Sequence, residues 1–372
     1  MKEQLQKLWT ELNKKKGHNV PVVVGMDGFI DEILHLVDKR QNIEQFTRVH
    51  TLKEYGEMIV RAAGLSTNVE IVPVEIRLGG NGPYLSNALL SCGAKVTYIG
   101  ALGDPIHQIY KDFAAKAEKT YSLCEPGHNQ ALEFDDGKLM MLKPEVFKGV
   151  TWERVKEVVG PPEKFAALLD NCDLFGLIDW SIVFNMTDIW KKLVDEVFPL
   201  MADRPSGVKP IAFFDLSDPE KRTTEDILEG MRLIGKFESK FRAVLGLNEK
   251  ELYQIAGAFG VKEGSLKDMV TETYKKLGIY CLVVHPVKEA CCCIGGEYYQ
   301  VEGPYCEKPL TTTGAGDNFN CGFSLGQALG LDPISSLTFG VCTSGFYVRN
   351  AKSGSYDEIM GFAKKWAEDG QI

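Results

Sequence analysis

Nowhere does the chain approach the ~18–20 uninterrupted apolar residues of a membrane-spanning helix, so no span is expected. A secretory leader is missing as well: Met1 to Lys16 is polar and has no apolar core, which points to the cytoplasm. There are ten cysteines but no CxxC pair. Cys291, Cys292 and Cys293 are consecutive in a strand-like run, so their side chains must alternate between faces. Neither a disulfide framework nor a zinc site fits that pattern, and reduced, mostly buried thiols are expected. A positive excess is lacking too. With a formal net charge of -9, nucleic acid or an acidic membrane surface would need a local basic patch. The short basic run near the N-terminus, Lys14-Lys15-Lys16, ends an amphipathic stretch and reads as a solvated helix terminus. No nucleic-acid or membrane partner is expected. Internal repeats, low-complexity linkers and a clear domain boundary are also absent.

What is present is material for a large core: 372 residues, 44% of them hydrophobic. Short apolar runs recur at 20–24, 96–99, 174–178, 210–214, 243–247 and 281–284, like buried parallel strands. Helical-length stretches lie between many of them, at 85–92, 189–201, 224–234 and 249–259. This alternation predicts an α/β fold with a largely parallel sheet. Two segments differ. Residues 68–78 are rich in spaced β-branched side chains, and 130–143 carry a hairpin turn at Asp135-Asp136-Gly137. Both read as antiparallel strands of a small β appendage over one end of the core. The region 34–65 gives no clear pattern apart from a helix over 52–63.

The most informative stretch is Thr311-Thr312-Thr313-Gly314-Ala315-Gly316-Asp317, which runs straight into a helix-like segment. Small residues at a helix start leave backbone N–H groups and the positive helix end facing outward. That suits a phosphate, or the charge developing on a phosphoryl group in transfer. Asp317 adjoins this anion site, where a general base must sit to take a proton from an attacking hydroxyl. A carboxylate there can also simply complement the helix dipole. The stretch is no P-loop, because no Gly-Lys-Ser/Thr follows. It is no dinucleotide fingerprint either, since it lies near the C-terminus and lacks the GxGxxG spacing.

Thr312 to Gly322 closely resembles the C-terminal signature of the PfkB, or ribokinase-like, carbohydrate kinases. Gly79-Gly80-Asn81-Gly82-Pro83, followed by Ser86, Gly93 and Gly103-Asp104, resembles their N-terminal signature. Asn248-x-x-Glu251, just after a strand run, resembles their N-x-x-E motif. The blocks stand in the family's order and span about Val22 to Gly354. The resemblance implies one kinase domain over 1–372, with a three-layer fold, a mostly parallel sheet and a β lid. It implies ATP-dependent phosphorylation of a sugar-like hydroxyl, with Asp317 as base and Gly314, Ala315 and Gly316 as the anion hole. Asn248 and Glu251 would organise Mg²⁺ through water, and a capping box is the plain reading of the same pair. Asp31 would accept substrate hydroxyls, with Asp27 competing for that role. Gly79, Gly80, Asn81 and Asp179 would also contact the sugar. Thr312, Gly314, Gly316, Asn248 and His285 would face the nucleotide. The lid often forms a homodimer contact in this family.

Three departures stand out. Thr311 replaces an Asp that helps form a monovalent-cation site, which puts potassium activation in question. Tyr84 replaces an Asn of the N-terminal block, which implies a different substrate shape. His285-Pro286 replaces small residues beside the nucleotide. His285 itself reads as a catalytic acid or as a structural, nucleotide-edge residue. A nucleoside kinase and a non-catalytic sugar- or nucleotide-binding protein on the same fold are the competing expectations. An oxidoreductase using Gly79-Gly80-x-Gly82 is disfavoured by the position of that block and by the lack of a suitably placed acidic residue.

Overall fold

The structure is a computed structural model that describes residues 1–15 and 19–370. Lys16, the last residue of the basic run, lies outside them. The described strands are β1 (Pro21–Gly25), β2 (Phe29–Arg40), β3 (Phe46–Arg48), β4 (Ile71–Gly79), β5 (Lys95–Gly100), β6 (Lys119–Ser122) and β7 (Gly127–Phe134). They continue as β8 (Gly137–Lys143), β9 (Leu174–Ile178), β10 (Ile211–Asp215), β11 (Arg242–Leu247), β12 (Cys281–Val284), β13 (Glu289–Ile294) and β14 (Glu297–Glu302).

The larger sheet has the order β14-β13-β12-β11-β10-β9-β1-β5-β6. From β12 to β6 every pairing is parallel, and β13 and β14 add an antiparallel edge. Strands covered on both faces need apolar residues at every position, and β9 and β10 are buried throughout. Alternation sorts their side chains into two cores. Phe175, Leu177, Phe214, Leu245 and Cys291 face one layer, and Leu174, Ile178, Phe213, Val244 and Cys292 face the other. The three consecutive cysteines thus divide between the faces, and all ten cysteines are free thiols. Helices 152–159, 162–170, 186–192, 224–236, 249–258 and 266–277 cover the first face. Helices 2–15, 81–91, 315–328, 333–350 and 356–369 cover the second, completing three layers.

The smaller sheet has the order β3-β2-β7-β8, with β4 paired along β2 beside β3. The hairpin β7–β8 turns at Asp135-Asp136, and β4 spans 71–79, matching the two expected lid segments. The central strand of this sheet, β2, falls mostly in the region whose pattern was unreadable. Its burial runs in pairs rather than alternating, because Leu34 and Leu36 also pack under the helix Leu52–Arg61. That helix brings Leu52, Tyr55 and Met58 onto a small core with Val49, Leu132 and Phe134. The helix expected over 189–201 is shorter: it runs Met186–Lys192 and then widens into irregular turns as far as Leu200.

The two sheets meet at the active end of the molecule. β1 leads through Met26-Asp27-Gly28 directly into β2, and β4 leads through Gly79-Gly80 directly into the helix Asn81–Ser91. The Tyr110 hydroxyl lies 2.5 Å from the Phe29 carbonyl oxygen and 3.0 Å from that of Gly79, pinning both crossings together.

Candidate active site

Parallel strands end with their carboxyl ends on one side, and the order of the large sheet reverses at β1. Ligands bind at such a reversal, outside the strand ends. Asp27 follows β1, Asp179 follows β9, Asp215 ends β10, Asn248 follows β11 and His285 follows β12. Five strands therefore deliver five polar side chains to one rim.

The helix Ala315–Ala328 is aimed at that rim from the second face. Gly314 caps it at φ 90°, a conformation that disfavours any residue with a Cβ, and an added Cβ would lie 2.7 Å from the Tyr347 hydroxyl. The helix start forms the wall between two cavities. One, of about 230 Å³, is lined by Asp31, Gly80, Asn81, Tyr84, Asn129, Asp179, Thr313, Gly314 and Asp317, among others. The other, of about 280 Å³, is lined by His285, Pro286, Thr312, Ala315, Gly316 and Phe319 and by the 303–309 loop. Asp317 thus faces one chamber while the turn before it faces the other. First-turn amides of a helix lack carbonyl partners within the helix, so those of Gly316 and Asp317 point outward, the latter also leaning on its own carboxylate. Ala315 differs from expectation: its amide donates to the Thr312 carbonyl oxygen at 3.1 Å and is already occupied.

Asp317 is buried, and its pKa is raised well above the ordinary carboxylate value. Desolvation is the main cause, followed by repulsion from Asp215 and Asp27. Asp215 is pushed up to about 7, by burial first and then by Glu251. Its Oδ2 accepts Asn320 Nδ2 at 2.8 Å, one turn along the helix from Asp317. Asp215 escaped the sequence reading, although it occupies the same strand-end position as Asp179. Asn248 and Glu251 form a capping box at the helix 249–258, with Asn248 Oδ1 accepting the Glu251 amide at 2.9 Å and Glu251 Oε2 accepting the Asn248 amide at 2.8 Å. Glu251 Oε1 also accepts the Asp218 amide at 2.9 Å. Each carboxylate oxygen keeps a second lone pair. Among the described residues, no three His, Cys, Asp or Glu side chains converge as a ready metal-binding set.

On the lid side, Asp31 Oδ1 accepts Asn129 Nδ2 at 3.0 Å and Oδ2 accepts the Tyr84 hydroxyl at 3.1 Å. Burial raises the Asp31 pKa, while Asn129, Tyr84, Arg77 and Lys138 oppose the rise. Asn129 Oδ1 and Asp179 Oδ1 are buried without a partner, so both acceptors remain open to a ligand's hydroxyls. Asp179 holds its position with a left-handed backbone, φ 66°. Asn129, from β7, carried no signal in the sequence; only the parallel register Asp31↔Asn129 brings it there.

Asp27 and Asp31, competitors in sequence, separate in space. Asp27 is fully buried behind the glycine block: Oδ1 accepts the Gly82 amide at 3.0 Å and the Tyr98 hydroxyl at 3.2 Å. A Cβ on Gly80 would come within 2.4 Å of its Oδ2, and Asp27 does not line the cavity. Its pKa rises to about 6, chiefly through burial, with the Gly82 amide and the Tyr98 hydroxyl opposing the rise. This aspartate is a brace for the glycine turn and sits outside the substrate contacts expected of it. Gly79 also lies behind Asp31 rather than at the cavity. His285 packs against Phe319 with ring centroids 4.9 Å apart and the rings tilted by 40°, and burial lowers its pKa to about 4. Burial favours the uncharged imidazole at the edge of the second cavity, which weighs against the catalytic-acid reading and leaves the structural, nucleotide-edge one.

Comparisons with known proteins agree with this architecture. A family model described as prokaryotic ketohexokinase matches residues 5–366. A curated ketohexokinase from Haloferax volcanii is 28% identical over 350 residues, covering 93% of this chain and 92% of the relative. Arabidopsis thaliana ribokinase, solved with ribose and ATP, superposes with a TM-score of 0.63 at 15% identity over 93% of this chain and 99% of that one. A putative ribokinase II from E. coli, solved with ATP and Mg²⁺, gives 0.60 at 15% identity, covering 94% of this chain and 99% of that one.

Proposed function

The chain belongs to the prokaryotic ketohexokinase family and is an ATP-dependent carbohydrate kinase; from that premise we propose that its acceptor is a ketohexose and that Asp317 is the general base. The observation that carries this reading is the wall between the cavities. Asp317 faces the chamber lined by Asp31, Asn81, Asn129 and Asp179, while Thr312, Gly316 and His285 face the chamber that suits a nucleotide.

The sugar binds under the lid, with its hydroxyls donating to Asp31, Asn129 Oδ1 and Asp179. One hydroxyl points at Asp317. As its oxygen forms a bond to the γ-phosphorus of ATP, the bond from that phosphorus to the bridging oxygen breaks and ADP leaves. The hydroxyl proton passes to Asp317. The raised pKa makes Asp317 a stronger base than an exposed carboxylate, provided it is ionised. The helix-start amides meet the charge on the transferring group without reorganising. ATP and Mg²⁺ are the general cofactors of such kinases. Asp215 and Glu251 fit a hard cation, since they are crowded, buried oxygen donors whose ionisation is opposed mainly by burial and by neighbouring carboxylates. With Asn248 they would hold it through water, and it would neutralise phosphate charge there.

The test is ADP release with purified protein across ketohexoses, aldoses, polyols and nucleosides. Ketohexoses should give the highest kcat/KM. A preference for nucleosides would overturn the acceptor, and turnover retained by a folded Asp317→Asn variant would overturn the base.

The lid also supports self-association. Ile71, Val74 and Ile76 on β4 are 39%, 54% and 53% exposed, an apolar edge of the kind that pairs with a second copy. Light scattering should find a dimer that Ile76→Lys dissociates, and a monomeric wild type would exclude it.

A further inference from the structure

We propose that Lys138 is a positioning residue for phosphoryl transfer: carried by the lid, it latches onto Thr313 and couples closure over the sugar to the shape of the anion-binding loop. The proposal rests on the kinase reading above and deepens it.

Lys138 lies in β8, directly after the hairpin turn. It shares a strand face with Met140 and Leu142, which line the sugar cavity. Its Nζ donates to Thr313 Oγ1 at 3.2 Å and sits 2.7 Å from Glu133 Oε1, its cross-strand partner. The Glu133 pair aims the ammonium, so that less side-chain entropy is lost on making the loop contact. Thr313 is held a second time, because its carbonyl oxygen accepts the Tyr347 hydroxyl at 2.7 Å. The next residue is Gly314, the helix cap, and Asp317 follows one turn later. Moving Thr313 therefore moves both the anion hole and the base. Tyr347 anchors the loop from the body of the protein, whereas Lys138 anchors it only when the lid is in place.

The same geometry bears on the monovalent-cation site expected beside the loop. Position 311 offers a threonine hydroxyl and no carboxylate, the Thr313 carbonyl is already engaged, and an ammonium already sits on the Thr313 hydroxyl. With no carboxylate at 311 and an ammonium on Thr313, the loop is a poor fit for a potassium ion, which like charge would repel. The lid lysine supplies the positive charge at the loop instead.

Lys138→Met keeps most of the stem and removes the charge. It should lower kcat roughly tenfold, the scale of one charge-assisted hydrogen bond, with the sugar KM little changed. Lys138→Arg should recover part of that loss. Thr313→Val should cost about as much, and the double variant no more than the worse single one. Amide hydrogen exchange across 311–318, followed on the free protein, should quicken in both single variants. Potassium, titrated at fixed ionic strength against tetramethylammonium, should change neither the wild-type rate nor that exchange. Additive losses, unchanged exchange or several-fold potassium activation would each overturn the latch. Exchange needs no substrate, so it separates failure of the latch from failure of the proposed acceptor.

Discussion

The two chambers on either side of Asp317 are built by different means. The wall between them is one continuous piece of chain, Thr311 to Asp317: a loop, a left-handed glycine and the start of a helix. The sugar end is assembled from Asp31 on β2, Asn81 at a helix start, Asn129 on β7 and Asp179 after β9. Local sequence can specify the first, since backbone N–H groups point wherever the helix starts. The second depends on how a separate sheet is set against the body. Chemistry is thereby insulated from specificity: lid residues can change without disturbing the anion hole, apart from the Lys138 contact.

Substitutions can break or sharpen that contrast. The largest effect belongs to the shared wall. Asp317→Asn should cut kcat roughly 10²–10⁴-fold, with both KM values within a few-fold, as followed by ADP release. In the wild type, kcat/KM should fall as pH drops through the raised pKa of Asp317, at a higher pH than an ordinary carboxylate would give. Next comes a change confined to the sugar side. Asp31→Asn leaves one oxygen to serve two donors, and it should raise the sugar KM roughly 10–100-fold while the ATP KM stays put. A comparable rise in the ATP KM would show that the chambers are not separable. His285→Ala is the mirror experiment: a several-fold rise in the ATP KM, an unchanged sugar KM, and no new ionisation near neutrality in the pH profile, because this histidine is already uncharged there.

The smallest effect is on stability. Asp215 ionises at about 7 in the fold, against about 3.9 for an unfolded chain. The folded state holds its proton more tightly, so its contribution is intact below about pH 3.9 and is lost progressively as pH rises from there through about 7. Asp215→Asn should therefore stabilise the fold near pH 8 by on the order of 1–3 kcal/mol, read as a higher Tm, and do little near pH 3.5. Differential scanning fluorimetry at the two pH values checks this, and equal shifts at both would mean that charge is not the cause.

How much could be foreseen follows the same division. The parallel strands were legible because double-sided burial writes itself as unbroken apolar runs, as in 174–178. The placement of Gly314 and Gly316 at a helix start, with Asp317 in its first turn, was legible because a helix start is a local event. The strand β2 was not, since packing on both sides erased its alternation. Asn129 was not, because an asparagine in a hairpin gains its meaning only from the strand beside it. Asp27 and Asp31 looked equivalent four residues apart, yet one ends up behind the glycine turn and the other in front of it.

By itself, then, the order of residues determined the sheet and the glycine-capped helix start that carries Asp317, both of which arise from short-range backbone geometry and continuous hydrophobic patterning. Tertiary structure alone decided which carboxylate lines the cavity under the lid, that Asn129 bonds to it, that Asp215 crowds Asp317 and that Lys138 reaches Thr313. Those contacts link residues up to 175 positions apart, and such distances are bridged by packing two sheets together rather than by any local preference.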